Sequence, residues 1–370
     1  MKSLKHSLLG GVLTSVVLFS SPLSAQDAPQ VVASIQPVHS LVSQVMEGVG
    51  APDLLVEGGG SPHSYSLRPS QARALEQADV VFWVGESLES FLPQSLESLS
   101  SDARVVPLSQ SVGIHLLENR SEGTWDHHDH GHDDAHHTSG NDHGHHDHDE
   151  THAHHEDTHH EDGRHEDDQY DDGHHDHDEG GHSHGGGYAD GEEHAHGHYD
   201  MHIWLSPDNA AAMLTAIRDA LIAVDPAHSE AYHANTDAAL KDLDELEVEL
   251  KEQLSGVADR PYIVFHDAYR YFEEAFGLNA VGSVTLSPER QPGAGRMAEL
   301  REKVEQLEAV CVFSEPQFEP RLVSSLIEGT EVRTAELDPL GAVLDPGPSA
   351  YYQLMRNLGQ QIAGCLAESG

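Results

Sequence analysis

Val80-Val81-Phe82-Trp83-Val84 is an unbroken apolar run between Asp79 and Gly85. A run of this kind reads as a strand buried on both faces, as strands are inside parallel sheets. Parallel strands need helical crossovers, and the flanking sequence supplies them. Upstream, Val31 to Ile35 is a short apolar strand, and Val38 to Val45 repeats its apolar residues at helical spacing. Asp53 to Val56 reads as another strand and ends in Glu57-Gly58-Gly59-Gly60. After the loop Ser61 to Pro69, Ser70 can cap a helix that continues through Ala78. Downstream, Val105 to Leu108 is a weaker strand. The alternation predicts an α/β fold, an open sheet with helices on both faces.

Farther along, Pro207 and Asp208 start a helix that reaches Val224, where Asp225-Pro226 breaks it. A second helix then runs to Leu254, with Leu243, Leu246, Leu250 and Leu254 at three- and four-residue steps. It is about 28 residues or about 40 Å long, more than one small lobe needs. A rigid spine between two lobes accounts for it; a long surface helix is the plainer reading. The strand–helix rhythm then restarts with strands at Tyr262 to Phe265, Ala280 to Leu286 and Val310 to Phe313, and an extended segment at Glu331 to Leu337. Helices are expected at Ala268 to Phe276, Ala294 to Glu308, Glu319 to Glu328 and Ser349 to Leu366. Two α/β units joined by one long helix result, and in such sheets ligands sit beyond the carboxyl ends of the strands.

Between the two halves, residues 126–200 break the pattern. They contain 24 of the 32 histidines and 24 acidic residues against one basic residue, Arg164. So little apolar surface cannot offset chain entropy, and disorder is expected. Imidazole suits Zn, Cu and Ni, so the same composition predicts metal binding. His127-His128, His145-His146 and His174-His175 are candidate auxiliary weak metal sites. The stretch supplies about half of the net charge of −45. That charge argues against nucleic acid or an anionic membrane surface as partner and favours cations.

At the N-terminus, Lys2 and Lys5 precede a short apolar core, Leu8 to Phe19, and a small-residue cleavage point at Ser24-Ala25. This reads as a secretory signal peptide, too short for a membrane span. The expected divisions are a leader over 1–25, an N-terminal lobe over 26–225 interrupted at 126–200, a linker helix over 226–256 and a C-terminal lobe over 257–370. The two cysteines, Cys311 and Cys365, are expected to form a disulfide in an exported chain rather than a metal pair or two buried thiols. On the chain-entropy account such a loop is worth roughly 4 kcal/mol.

Outside the tract, His63 lies in the loop after the second strand and His202 lies where ordered sequence resumes. His266 ends the strand from Tyr262, and Asp338 follows the extended segment from Glu331. Three of these follow strand ends, where two facing lobes can converge on one ion. Three imidazoles with a carboxylate or a water suit tetrahedral Zn²⁺. Spacing alone does not bring them together, and taken singly each histidine reads more readily as a satisfied polar residue. His39, His115, His228 and His233 fall on predicted helices or loops and are left out of the set.

Four motifs carry a resemblance. Ser61-Pro62-His63-Ser64-Tyr65-Ser66-Leu67-Arg68-Pro69-Ser70 resembles the first metal-ligand loop of the solute-binding proteins that feed zinc and manganese ABC importers. His202-Ile203-Trp204-Leu205-Ser206-Pro207 is similar to the second, Phe265-His266-Asp267-Ala268-Tyr269 to the third and Leu337-Asp338-Pro339-Leu340-Gly341 to the fourth. The order is right across essentially the whole mature chain. The His/Asp-rich insert before the second motif, Ser314-Glu315-Pro316-Gln317-Phe318 and the two cysteines resemble the zinc branch.

The resemblance implies two Rossmann-like lobes joined by one rigid helix, with the ion in the cleft between them. His63, His202 and His266 carry over as ligands. Manganese-type relatives have a carboxylate at the third position; His266 here favours Zn²⁺. Some zinc members carry Glu immediately before the first ligand, whereas this chain has Pro62, which leaves the fourth position to Asp338 or to water. The implied function is capture of Zn²⁺ in the periplasm and delivery to the membrane subunit of an ABC permease, by a monomer without catalysis. A zinc hydrolase would need a general base, for which Glu315 and Asp267 are the nearby candidates. The sequence is also compatible with a storage protein working through its His-rich tract, and with a manganese-type metal binder.

Overall fold

The computed structural model describes residues 28–120, 198–285, 293–306, 309–318 and 321–367. The leader, the paired histidines at 127–128, 145–146 and 174–175, and nearly all of the 126–200 tract lie outside them. His198, Tyr199 and Asp200 are among the described residues and belong to the fold.

Two four-stranded sheets form, and every ladder in them is parallel. The first comprises β1 (Val31–Ala33), β2 (Asp53–Leu54), β3 (Val80–Trp83) and β4 (Arg104–Pro107), in the order β2-β1-β3-β4. The second comprises β5 (Tyr262–His266), β6 (Ala280–Thr285), β7 (Cys311–Ser314) and β8 (Arg333–Glu336), in the order β6-β5-β7-β8. The same order recurs, so each lobe places its first and third strands centrally. All four residues of β3 are buried, as its apolar run requires.

Helices α1 (Gln36–Val45), α2 (Pro69–Gln77) and α3 (Pro93–Leu99) accompany the first sheet. Helix α2 starts two residues earlier than expected, with Arg68 rather than Ser70 as cap. Pro69 is suited to the first helical position, and the Gln71 side chain accepts the Arg68 backbone N–H at 2.8 Å. Helix α3 buries Leu96, which packs with Leu92 and Leu99.

Helix α4 (Pro207–Val224) is capped by the Ser206 hydroxyl, which accepts from Asn209. After a 3₁₀ turn at Pro226–His228, α5 (Ser229–Leu254) spans 26 residues and connects the lobes. It buries Leu243, Leu246, Leu250 and Leu254, the residues that carry its period. The second lobe adds α6 (Arg270–Phe276), α7 (Ala294–Gln306), α8 (Arg321–Ile327) and α9 (Ala350–Leu366).

Helix α5 is not a bare strut. One apolar core runs continuously from Val31, Ala33 and Phe82 through Leu214, Leu246 and Leu250 to Tyr262, Phe313 and Leu358. Gly359 on α9 meets α5 so closely that a Cβ there would lie 2.6 Å from Leu250. Helix α1 is tied to the second lobe as well. Gln36 donates to the Leu344 carbonyl at 2.7 Å, and the Ser40 hydroxyl donates to Pro348 while accepting from the Tyr351 N–H. Cys311 at the head of β7 is joined to Cys365 of α9. Among the described residues no helix is long and apolar enough to cross a membrane.

Candidate metal centre

His63 is placed by the loop after β2. Gly58 and Gly59 there take left-handed backbone (φ +63° and +80°), which glycine adopts without strain. A Cβ on Gly60 would lie 2.8 Å from the Tyr65 ring. Tyr65 in turn accepts from Gln71 at 2.8 Å, and Gln71 also donates to the Leu55 carbonyl, so the loop is fastened to the start of α2. His202 precedes a buried 3₁₀ turn, Ile203–Leu205, in which the Trp204 indole donates to the Pro339 carbonyl of the other lobe at 2.8 Å. His266 is the last residue of β5, paired with Thr285 of β6.

These three histidines converge. Each offers a ring nitrogen, and the three nitrogens lie within 4.8 Å of one another. His202 and His266 are buried and His63 is partly so. The closest pair is Nε2 of His202 and Nε2 of His266, 3.3 Å apart. Two nitrogens that share a tetrahedral zinc, each at about 2.0–2.1 Å, are separated by about 3.3 Å.

The other ring nitrogens are already committed. Nδ1 of His202 donates to Asp200 at 2.7 Å, and Nδ1 of His266 donates to Glu315 at 2.7 Å. A carboxylate only accepts, so both rings carry hydrogen on Nδ1 and turn the Nε2 lone pair into the cluster. Carboxylate–histidine pairs of this kind fix the tautomer and raise the basicity of metal ligands. Asp200 and Glu315 also accept the backbone N–H groups of their histidines.

Burial and the neighbouring rings His202 and His266 push His63 down to about 2, so its ring is neutral. Burial also opposes charge on His266, but Glu315, Asp267 and Asp200 outweigh it and leave its pKa above the ordinary value. Next to the cluster, Arg120 pairs with Asp267 at 2.9 Å and Glu273 at 2.6 Å. Burial raises both carboxyls against the pull of Arg120, Glu273 to about 7.

Asp338 does not join the three histidines. Its Oδ1 accepts from Gln317 Nε2 at 2.9 Å and from the backbone N–H groups of Leu340 and Gly341 at 3.1 and 3.0 Å. His39, which donates to the Pro52 carbonyl, and His115, His228 and His233 also lie outside the group. The space enclosed by His63, His202, His266 and their neighbours is about 10 Å³. That admits an ion or a water, whereas organic ligands need roughly 300–1,000 Å³.

The sequence does not single out Asp200 or Arg120 as site residues; it offers Glu315 as a base, and Gln317 only within the zinc-branch segment Ser314 to Phe318. Asp200 stands two residues before His202, so a local signal exists for it. Arg120 is brought to Asp267 by a long-range contact that leaves none.

The profile of the family described as "ZnuA: Zinc-uptake complex component A periplasmic" matches residues 31–365. The chain is 45% identical over 370 residues to the high-affinity zinc uptake system protein ZnuA of Brucella suis biovar 1 (strain 1330), covering 100% of both. It is 34% identical to the protein of that name from Yersinia pestis, covering 96% of both. Among solved structures it is similar in fold to a crystal structure of ZnuA (TM-score 0.66, 20% identity, 92% of this chain and 100% of that one). It is also similar to the periplasmic zinc binding protein TroA from Treponema pallidum (TM-score 0.65, 18% identity, 92% of this chain and 100% of that one).

Proposed function

Because this chain belongs to the family of periplasmic zinc-uptake component A proteins, we propose that it captures Zn²⁺ in the periplasm and delivers it to an ABC permease. The observation that carries this reading is the 3.3 Å separation of the His202 and His266 Nε2 atoms, each ring held by a carboxylate at its far side. His63, His202 and His266 are the ligands, and the fourth position is left to water. Nitrogen ligands suit Zn²⁺ better than Mn²⁺.

A binding protein needs the ion and nothing else in its cleft, and the space enclosed there is of ionic size. Glu315, the candidate base of a hydrolase, is engaged in orienting His266. Residues 1–25 serve as the export leader. The 126–200 tract, with its 24 histidines, adds weak sites that concentrate zinc near the cleft. The same tract favours one second reading, zinc storage.

Zinc titration of the purified protein against a competing chelator tests the assignment. One tight equivalent that survives removal of the tract supports delivery from the cleft. Loss of the tight equivalent with the tract supports storage.

A further inference from the structure

Asp338 stands next in the chain to residues that line the cavity of the three histidines, Pro339 and Leu340. Its backbone is fixed on both sides. The Leu337 N–H donates to the Ser314 carbonyl at 2.9 Å, and the Pro339 carbonyl accepts the Trp204 indole. Only the side chain is left to decide where the carboxylate points.

That decision is made by Oδ1, which accepts three hydrogen bonds, two from the following turn and one from Gln317. The turn bonds are local and belong to any aspartate that caps its own loop. The bond from Gln317 comes from a different segment, beyond the end of β7. Gln317 also lines the cavity. A carboxylate cannot donate, so the Gln317 amide must present nitrogen to Asp338, which leaves Oε1 as its free end. Both Gln317 Oε1 and Asp338 Oδ2 are buried without a hydrogen-bond partner. Beyond the two bonds of its own turn, the carboxylate is held by one neutral amide, that of the cavity-lining Gln317.

Resting on the zinc-capture reading, we propose that Gln317 is a specificity-determining residue. By tethering Asp338 it keeps a carboxylate out of the ion's coordination and preserves an all-nitrogen protein ligand set. Carboxylate oxygen suits manganese and imidazole suits zinc. The tether therefore raises the zinc-to-manganese preference without touching the ion.

The test measures Zn²⁺ and Mn²⁺ affinities of the full chain, with the tight site isolated by chelator competition and folding checked by thermal melting. Gln317→Met removes the amide at similar volume; Gln317→Asn, too short to span the gap, is the second variant. Each should strengthen Mn²⁺ binding and narrow the zinc-to-manganese ratio by about 10-fold or more, the scale of effects from groups one step behind a metal. Asp338→Asn keeps the turn acceptor and should leave zinc affinity within about 3-fold, well below that scale. Combined with Gln317→Met it should restore the parent ratio. An unmoved ratio, a shift that persists without the Asp338 carboxylate, or a loss of zinc affinity in Asp338→Asn alone of about 10-fold or more would overturn the proposal. A parent chain with no tight zinc site would instead remove the reading on which it rests.

Discussion

Glu315 and His266 form one unit across two strands. A single carboxylate oxygen lies 2.7 Å from the ring Nδ1 and 3.3 Å from the backbone nitrogen of the same histidine. Both groups are buried, so the ring cannot turn without stranding the carboxylate. The lone pair that His266 offers an ion is thereby fixed by a residue on the neighbouring segment.

Glu315→Gln should weaken zinc binding by about 10- to 100-fold at pH 8, because the ring loses its charged partner. The pH profile should move as well. Burial depresses His266, but Glu315 and nearby acids hold it above the ordinary value, and zinc needs the neutral ring. Parent affinity should therefore fall as pH drops through the raised His266 pKa. Without the Glu315 charge that fall should begin at lower pH. Titrations from pH 8 to 5 check it, and an unchanged onset would count against the coupling.

His63→Ala, His202→Ala and His266→Ala should each remove the tight zinc equivalent while leaving the melting temperature of the zinc-free protein near that of the parent for His63, the least buried of the three. Retention of one tight site in the triple variant would sink the assignment of the cluster.

Deleting residues 126–196 should leave the tight site and the fold intact and abolish the weaker zinc equivalents. The ends of the tract are already joined, since the Asn119 N–H donates to the His198 carbonyl at 2.7 Å and Glu118 bridges Tyr199. Calorimetric stoichiometry before and after deletion reads the outcome.

Arg120→Met should destabilise the protein by ~3–5 kcal/mol at pH 8, since it leaves Asp267 and Glu273 buried without their shared cation. Burial already lifts Glu273 to about 7 despite Arg120. At pH 5 that carboxyl is protonated in the folded state, so the penalty should shrink. Denaturant unfolding at the two pH values measures the difference; a larger penalty at pH 5 would refute the account.

Reducing Cys311–Cys365, which closes a loop with a sequence separation of 54, should cost about 4 kcal/mol on the chain-entropy account. Melting with and without reductant tests it.

Local signals in the sequence were enough for the alternation of elements, the two-lobe plan and the long helix from Ser229. Val80 to Trp83 had no polar face to expose, and Leu243, Leu246, Leu250 and Leu254 could bury together only on a helix. The three histidines were legible through their motifs, and His63 and His266 also through their places beyond or at strand ends. What the sequence could not show was which side chains meet. Asp338 lay in the right motif, yet Gln317 and the turn at Leu340 and Gly341 hold its Oδ1 away from the histidines. Glu315 reaches His266 across 49 residues and Arg120 reaches Asp267 across 147. Hydrogen-bond partners at such separations are chosen when the lobes close on one continuous core. A single chain's pattern carries the period of its own helices and strands, not the geometry between them.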